Sequence, residues 1–170
     1  DHTSGTTGTP LDIYLDYDSV KEQYALFEAR VKKKFDIELD ETWAIIGAQR
    51  VTDVNRKKPP FWVYNFPSNQ LYLSSLHIAK WSVSDYVNAL KKYQPKCMIG
   101  YTNSIYTLAR EMRDNNLNFE MKAVITNAEP LYEFQKEIIA KAFGCPVVET
   151  YGQAELVCFA NRFPDGKMYE

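Results

Sequence analysis

An α/β fold with a predominantly parallel sheet flanked by helices is what this sequence predicts, and three observations carry that reading. Between residues 96 and 156, short apolar runs alternate with amphipathic stretches: strand 97–100, helix 104–113, strand 122–126, helix 131–143, strand 147–150. That order builds parallel sheets covered by helices. Pro130 stands at the expected start of the last helix and Gly144 just past its end, matching the preferences of the two helix termini. Each strand is followed at once by a polar or glycine-bearing segment: Gly100-Tyr101-Thr102, Asn127-Ala128-Glu129-Pro130, and Tyr151-Gly152-Gln153-Ala154-Glu155. In open α/β sheets ligands bind beyond the carboxyl ends of the strands, so the three segments are expected to face one site.

Residues 1–18 comprise a Ser/Thr/Gly loop and the alternating strand 11–15, Leu11-Asp12-Ile13-Tyr14-Leu15. Ser19 and Glu22 have capping-box spacing, and Val20, Tyr24, Phe27, Val31 and Phe35 recur at helical intervals, so an amphipathic helix is expected to about residue 35. Lys32, Lys33 and Lys34 fall in its last turn, where cations complement the negative end of a helix and give no reason to invoke nucleic acid. Residues 43–48 are an apolar run suited to a buried strand, and 56–60 form a basic, proline-ended loop. Aromatic strands 61–66 and 71–76 suit either plain core or an acyl pocket. Ser82 with Asp85 starts another helix that stops near Pro95.

The chain has 170 residues, 45% hydrophobic and 25% charged, the makeup of one globular domain able to bury a core. A net charge of -2 provides no basic field, which argues against nucleic acid or an anionic membrane as partner. No apolar run reaches bilayer length and no charged-then-apolar leader precedes the loop, so a protein without membrane insertion, in the cytoplasm, is expected. Cys97, Cys145 and Cys158, odd in number and far apart, fit reduced thiols better than a disulfide framework.

The loop Thr3-Ser4-Gly5-Thr6-Thr7-Gly8-Thr9-Pro10 is the strongest chemical signal. Gly5 and Gly8 let backbone approach a ligand, and Ser4, Thr6, Thr7 and Thr9 supply hydroxyls, so several donors can converge on one phosphate. It is not a Walker loop, which has four residues between its glycines and a Lys after the second. Taken alone, the loop does not exclude a Ser/Thr/Gly linker or a disordered amino terminus.

The order of this loop resembles the phosphate loop of the adenylate-forming superfamily, which includes acyl-CoA synthetases, luciferase and peptide-synthetase adenylation domains. Tyr151-Gly152-Gln153-Ala154-Glu155 resembles that family's Tyr-Gly-x-Thr-Glu segment, and Asn127-Ala128-Glu129-Pro130-Leu131 resembles the stretch beside the adenine, in the phenylacetate-CoA ligase and capsule-biosynthesis branch above all. The resemblance implies a central piece of the large amino-terminal domain, with ATP or AMP as nucleotide. Ser4, Gly5, Thr6, Thr7, Gly8 and Thr9 are then the phosphate contacts. Ala128, Glu129, Pro130, Tyr151, Gly152 and Gln153 line the adenine, Tyr151 by stacking. Glu155 binds Mg²⁺, an ion that keeps waters and takes few protein ligands. His77 and Tyr101 fall where relatives have an acyl pocket. Glu129 reads equally as a carboxylate stabilising the start of the following helix. Leu11 stands where many relatives carry Lys, and Ala154 where a hydroxyl is commoner. Cys158 follows the glutamate as a zinc-ligating cysteine does in some relatives, but the neighbouring residues do not complete four ligands.

The implied reaction is ATP-dependent activation of a carboxylic acid as acyl-adenylate, then transfer to coenzyme A or another acceptor. Only Asp1 and His2 precede the loop, so the 170 residues are expected to be a single core fragment of something longer. The family's small carboxyl-terminal domain with its catalytic Lys is not in the sequence, and the fragment is expected to be inactive alone. The other reading is a non-catalytic nucleotide-binding or interaction module derived from the same fold.

Overall fold

The computed structural model describes residues 8, 9, 12–153 and 158–169. Its strands are β1 (Trp43–Gly47), β2 (Trp62–Asn65), β3 (Gln70–Ser74), β4 (Cys97–Tyr101), β5 (Ala123–Asn127), β6 (Val147–Gly152), β7 (Phe159–Arg162) and β8 (Met168–Tyr169). The helices are α1 (Tyr17–Phe27), α2 (Val83–Tyr93), α3 (Thr102–Asp114) and α4 (Glu133–Phe143). Among the described residues the strands form one sheet in the order β2-β3-β1-β4-β5-β6-β7-β8. The central run from β3 to β6 is parallel, and β2, β7 and β8 are antiparallel additions at the two edges.

Parallel pairing with helical crossovers buries both faces of a strand, and β4 shows it: Cys97, Met98, Ile99 and Gly100 are all buried. Alternation then sorts the side chains between two layers. Met98 joins Ala44, Ile46, Leu71, Leu73 and Val124 beneath α2, α3 and α4. Cys97 and Ile99 join Ile125 and Val148 on the other side, under Val31, Ile37 and Phe163. At Gly100 a Cβ would come within 1.8 Å of the Ile46 carbonyl oxygen, so only glycine permits the approach of β4 to β1 there.

Several local expectations are corrected. Residue 12 makes an isolated bridge and 13–16 are irregular, so the described part of the expected strand 11–15 is not one. Asp16, not Ser19, is the N-cap of α1: its carboxylate accepts from the Ser19 N–H and hydroxyl, each at 2.8 Å. Those bonds hold its pKa below the usual 3.8. The winding continues to residue 35, but as a π turn, Glu28–Lys32, and a 3₁₀ turn, Lys33–Phe35. The wider turn lets the adjacent Val31 and Lys32 both be buried. Lys32 pairs with Glu28 at 2.6 Å and lies over the Trp43 ring, and Lys34 sits on Phe163, so two of the three lysines serve packing. Pro130 lies before α4, whose N-cap is Tyr132, whereas Gly144 closes that helix at φ 59 as its left-handed cap requires. Ser82 is the N-cap position of α2, yet its hydroxyl donates to the carbonyls of His77 and Ala79 instead of capping.

Candidate functional site

Strands β4, β5 and β6 end level with one another: Tyr101 pairs with Asn127, and Thr126 with Glu149. Two hydroxyls tie the edge across strands, Thr150 Oγ1 donating to the Thr126 carbonyl at 2.8 Å and Thr126 Oγ1 to the Val148 carbonyl at 3.2 Å. Beyond β5 the chain turns sharply at Ala128, whose φ of 62 is left-handed and strained for a residue with a Cβ. That turn carries Glu129 over the start of α3. There the Asn103 N–H donates to Glu129 Oε2 at 2.7 Å and the Thr102 hydroxyl to the Glu129 carbonyl at 3.0 Å. The carboxylate therefore stabilises a helix start, but that of α3 and not of α4. Gln135 completes the lattice, its Nε2 donating to Asn103 Oδ1 and its Oε1 accepting from the Tyr132 N–H.

This turn and the end of β6 enclose a cleft of about 360 Å³. Ala128, Glu129 and Pro130 form one wall, and Thr150, Tyr151 and Gly152 the other. Tyr151 is 59% exposed, and among the described residues its ring stacks on no other, which leaves a π face for a planar ligand. Gly152 is itself exposed at the end of β6, with Cys158 and Phe159 in ordinary contact with the place a Cβ would take. Two charged residues that the sequence reading did not single out also line the cleft. Glu149 and Arg162 are cross-strand partners on β6 and β7, joined at 3.1 Å, and the Leu131 N–H approaches the other Glu149 oxygen at 3.4 Å. A carboxylate interrupting the apolar run Val147-Val148 was the available signal for Glu149. Asn127 Oδ1, at the end of β5, is buried with no partner, an acceptor that a ligand donor could satisfy.

His77 and Tyr101 are placed differently. His77 follows β3 in a 3₁₀ turn and is 4% exposed, stacked on Phe61 at 5.0 Å, with Nδ1 2.8 Å from Ser74 Oγ. Its Nε2 is buried without a partner. Tyr101 is 36% exposed at the end of β4, beside Gly47. Among the described residues no hydrogen bond or ring stacking joins the two. Tyr86 donates its hydroxyl to the Ser74 carbonyl at 2.6 Å behind His77, and burial pushes that phenol's pKa well up.

Of the remaining expected residues, Gln153 is exposed just past β6, and Gly8 and Thr9 are exposed. Ser4, Gly5, Thr6, Thr7 and Glu155 lie outside the described residues, as do Leu11 and Ala154.

No protein-family model matches the chain. By sequence it is 33% identical over 157 residues to Protein CapK of Staphylococcus aureus, covering 91% of this chain and 32% of that protein. The chain thus spans about a third of the length of the curated relative it matches. By structure it resembles 2-hydroxyisobutyryl-CoA ligase in the postadenylation state with R3-HIB-AMP, at TM-score 0.60 and 18% identity, over 95% of this chain and 34% of that one. It also resembles malonyl-CoA ligase with methylmalonyl-CoA and AMP bound, at TM-score 0.57 and 16% identity, over 98% and 35%. At such identities the likeness shows the fold, and the mixed sheet flanked by helices is that of the amino-terminal domain of these ligases.

Proposed function

For a chain that carries the fold of the AMP-forming acyl-CoA ligases and adenylation domains, we propose that the β5–β6 cleft seats the adenine of ATP or AMP in a carboxylate-activating reaction. The observation that carries the reading is the convergence of Ala128, Glu129 and Pro130 with Tyr151 and Gly152 on one cleft at the carboxyl edge of the sheet. Tyr151 offers its free ring to the base. The hydroxyls and amides of Ser4, Gly5, Thr6, Thr7, Gly8 and Thr9 hold the phosphates.

In the reaction a substrate carboxylate oxygen attacks the α-phosphorus, the bond to the bridging oxygen breaks, and pyrophosphate leaves with its electron pair. Charge gathers on phosphoryl oxygens, so preorganised donors suffice and no general base is required. Mg²⁺, when bound at Glu155, supplies charge neutralisation at those oxygens. His77 and Tyr101 belong to the acyl side, and the acyl group then passes to a thiol such as coenzyme A. The neighbours held with R3-HIB-AMP, or with AMP and methylmalonyl-CoA, support this order. The likeness to CapK supports the capsule-related branch. The 170 residues act as one core unit of a longer cytoplasmic enzyme and give little or no turnover by themselves.

Equilibrium binding of Mg-ATP to the chain tests the reading. Base-on-aromatic stacking contributes about 1–3 kcal/mol, so Tyr151→Ala is expected to weaken ATP roughly tenfold or more, and Glu155→Ala to abolish the Mg²⁺ dependence. Unchanged affinity in Tyr151→Ala would sink the cleft assignment. Binding indifferent to Glu155→Ala points instead to a non-catalytic module. ATP–pyrophosphate exchange by the isolated chain would refute its inactivity.

A further inference from the structure

The carboxyl end of β1 opens into the loop 48–61, which carries four cations, Arg50, Arg56, Lys57 and Lys58, and one carboxylate, Asp53. All four cations are exposed, and among the described residues none is in an ion pair. Asp53 is occupied in shaping the loop: its carboxylate accepts from the Asn55 N–H at 2.7 Å and its carbonyl from the Arg56 N–H at 3.1 Å. Arg50, Thr52, Asp53 and Asn55 line a hollow of about 460 Å³ in this loop. Thr52 Oγ1 is buried there with no hydrogen-bond partner. A buried hydroxyl left unpaired is unfavourable unless a ligand completes it, and next to a free guanidinium the completing group is an anion.

The loop stands on the same edge of the sheet as the candidate cleft. Strand β1 is the neighbour of β4, and a methyl placed on Gly47 would touch the Tyr101 ring at 3.8 Å. With strands spaced roughly 4.8 Å apart, the end of β1 lies roughly 10–15 Å from the ends of β5 and β6. ATP has its own phosphate loop in the reading above, on which this inference rests, so the cations near β1 are left for a second phosphorylated molecule. We propose that the loop 48–61 binds the phosphates of the acyl acceptor, a thiol of coenzyme A type that carries phosphate esters at the far end of a flexible arm. Arg50 and the Thr52 hydroxyl hold one phosphate in the hollow, and Arg56, Lys57 and Lys58 supply the surrounding field. The arm then spans the edge toward Tyr101, where the activated acyl group is formed.

Calorimetric titration of the 170-residue chain with 3′,5′-ADP tests this, because that nucleotide reproduces the phosphorylated end of coenzyme A without its thiol. Arg56→Ala/Lys57→Ala/Lys58→Ala changes only exposed side chains and is expected to weaken 3′,5′-ADP at least tenfold, with a steep salt dependence in the parent chain. Thr52→Val keeps the charge and is expected to weaken it several-fold. Coenzyme A should compete, and Mg-ATP affinity should stay unchanged in all these variants. Equal affinity of the triple variant for 3′,5′-ADP overturns the proposal, as does absence of 3′,5′-ADP binding to a chain that still binds Mg-ATP. Inorganic phosphate binding as tightly as 3′,5′-ADP also overturns it, since the loop would then be a general anion site. If Tyr151→Ala leaves ATP binding intact while the loop variants lose 3′,5′-ADP, the nucleotide cleft is wrong and the loop site stands.

Discussion

On one face of the sheet, α2, α3 and α4 bury Tyr86, Leu90, Leu108, Met112 and Phe143 against Leu71, Leu73 and Met98. On the opposite face α1 has no fully buried residue of its own. Among the described residues the turns after it place Val31 and Ile37, with Phe163 from beyond β7, on Ile99, Ile125 and Val148, and Phe27 packs there only partly buried. A groove of about 380 Å³ is left between Tyr24 and Phe27 of α1 and Trp43 and Tyr72 of the strands. The difference separates two tasks. Helices α3 and α4 begin at the cleft, so their close packing fixes the turn at Ala128 and the level of the strand ends, which a site needs if its geometry is to be set before a ligand arrives. The thinly covered face carries no such duty and is where opening should start.

The largest effect follows from truncation on each side. Leu108 is fully buried on α3, and Leu108→Ala is expected to cost about 2–5 kcal/mol. Phe27→Ala, on a half-buried side chain of α1, should cost less than half as much despite removing more atoms. Urea unfolding of both variants measures it, and equal costs would break the contrast.

A buried thiol lies on each face, and that permits a sharper test. Cys97 belongs to the α1 side and Cys145 to the helix-covered side, and burial pushes both thiols up to about 12. Thiolate is the reactive form, so neither should label until its surroundings open, whereas the half-buried Cys158 should label first. If α1 opens locally, Cys97 should react about tenfold faster than Cys145, a difference of about 1.4 kcal/mol in opening. Mass spectrometry of a time course reads the order, and simultaneous labelling would mean the two faces open together. The raised values also set a pH dependence. The folded state keeps protons that an unfolded thiol loses near 9, so this stabilisation is whole below pH 9 and disappears as pH rises toward 12. Cys97→Ala and Cys145→Ala should each flatten that decline.

The same division governs how much was legible in the sequence. Strands β4, β5 and β6 with α3 and α4 were readable because their apolar spacing, and Gly144 at the end of α4, reflect packing on both sides of each element. The α1 region was read less well: a thin interface imposes a weaker pattern, so Ser19 looked like a cap that Asp16 supplies, and the π turn that buries Val31 beside Lys32 has no periodic signal. The hairpin of β7 and β8 was missed although Pro164-Asp165-Gly166 marks its turn. With it went Arg162, which reaches the cleft only because β7 pairs antiparallel with β6. Tyr151 and Ala128 were legible because segments following parallel strands must share an edge. That Glu129 would turn to α3 depends on the left-handed Ala128, which the sequence does not announce.

The smallest expected effect concerns what holds the thin face closed at its far end. Lys122, just before β5, donates to the Asp36 carbonyl after the α1 winding and pairs with Glu41 at 3.1 Å. Burial alone would raise the Glu41 pKa, but the Glu38 N–H and then Lys122 outweigh it and hold it below the usual 4.5. A depressed carboxylate stabilises the fold above its unfolded value, so this contribution is complete above about pH 4.5 and is lost as pH falls through the folded value. Both partners are partly exposed, at 36% for Lys122 and 24% for Glu41, which limits the pair to about 0.2–1 kcal/mol. Glu41→Gln should therefore barely move the urea midpoint at pH 7, and its effect should shrink as pH falls below about 4.5. It should nonetheless speed labelling of Cys97 and leave Cys145 unchanged, because the bond it weakens joins the α1 winding to β5. Equal acceleration of both thiols would show that the clasp serves the whole fold instead of one face.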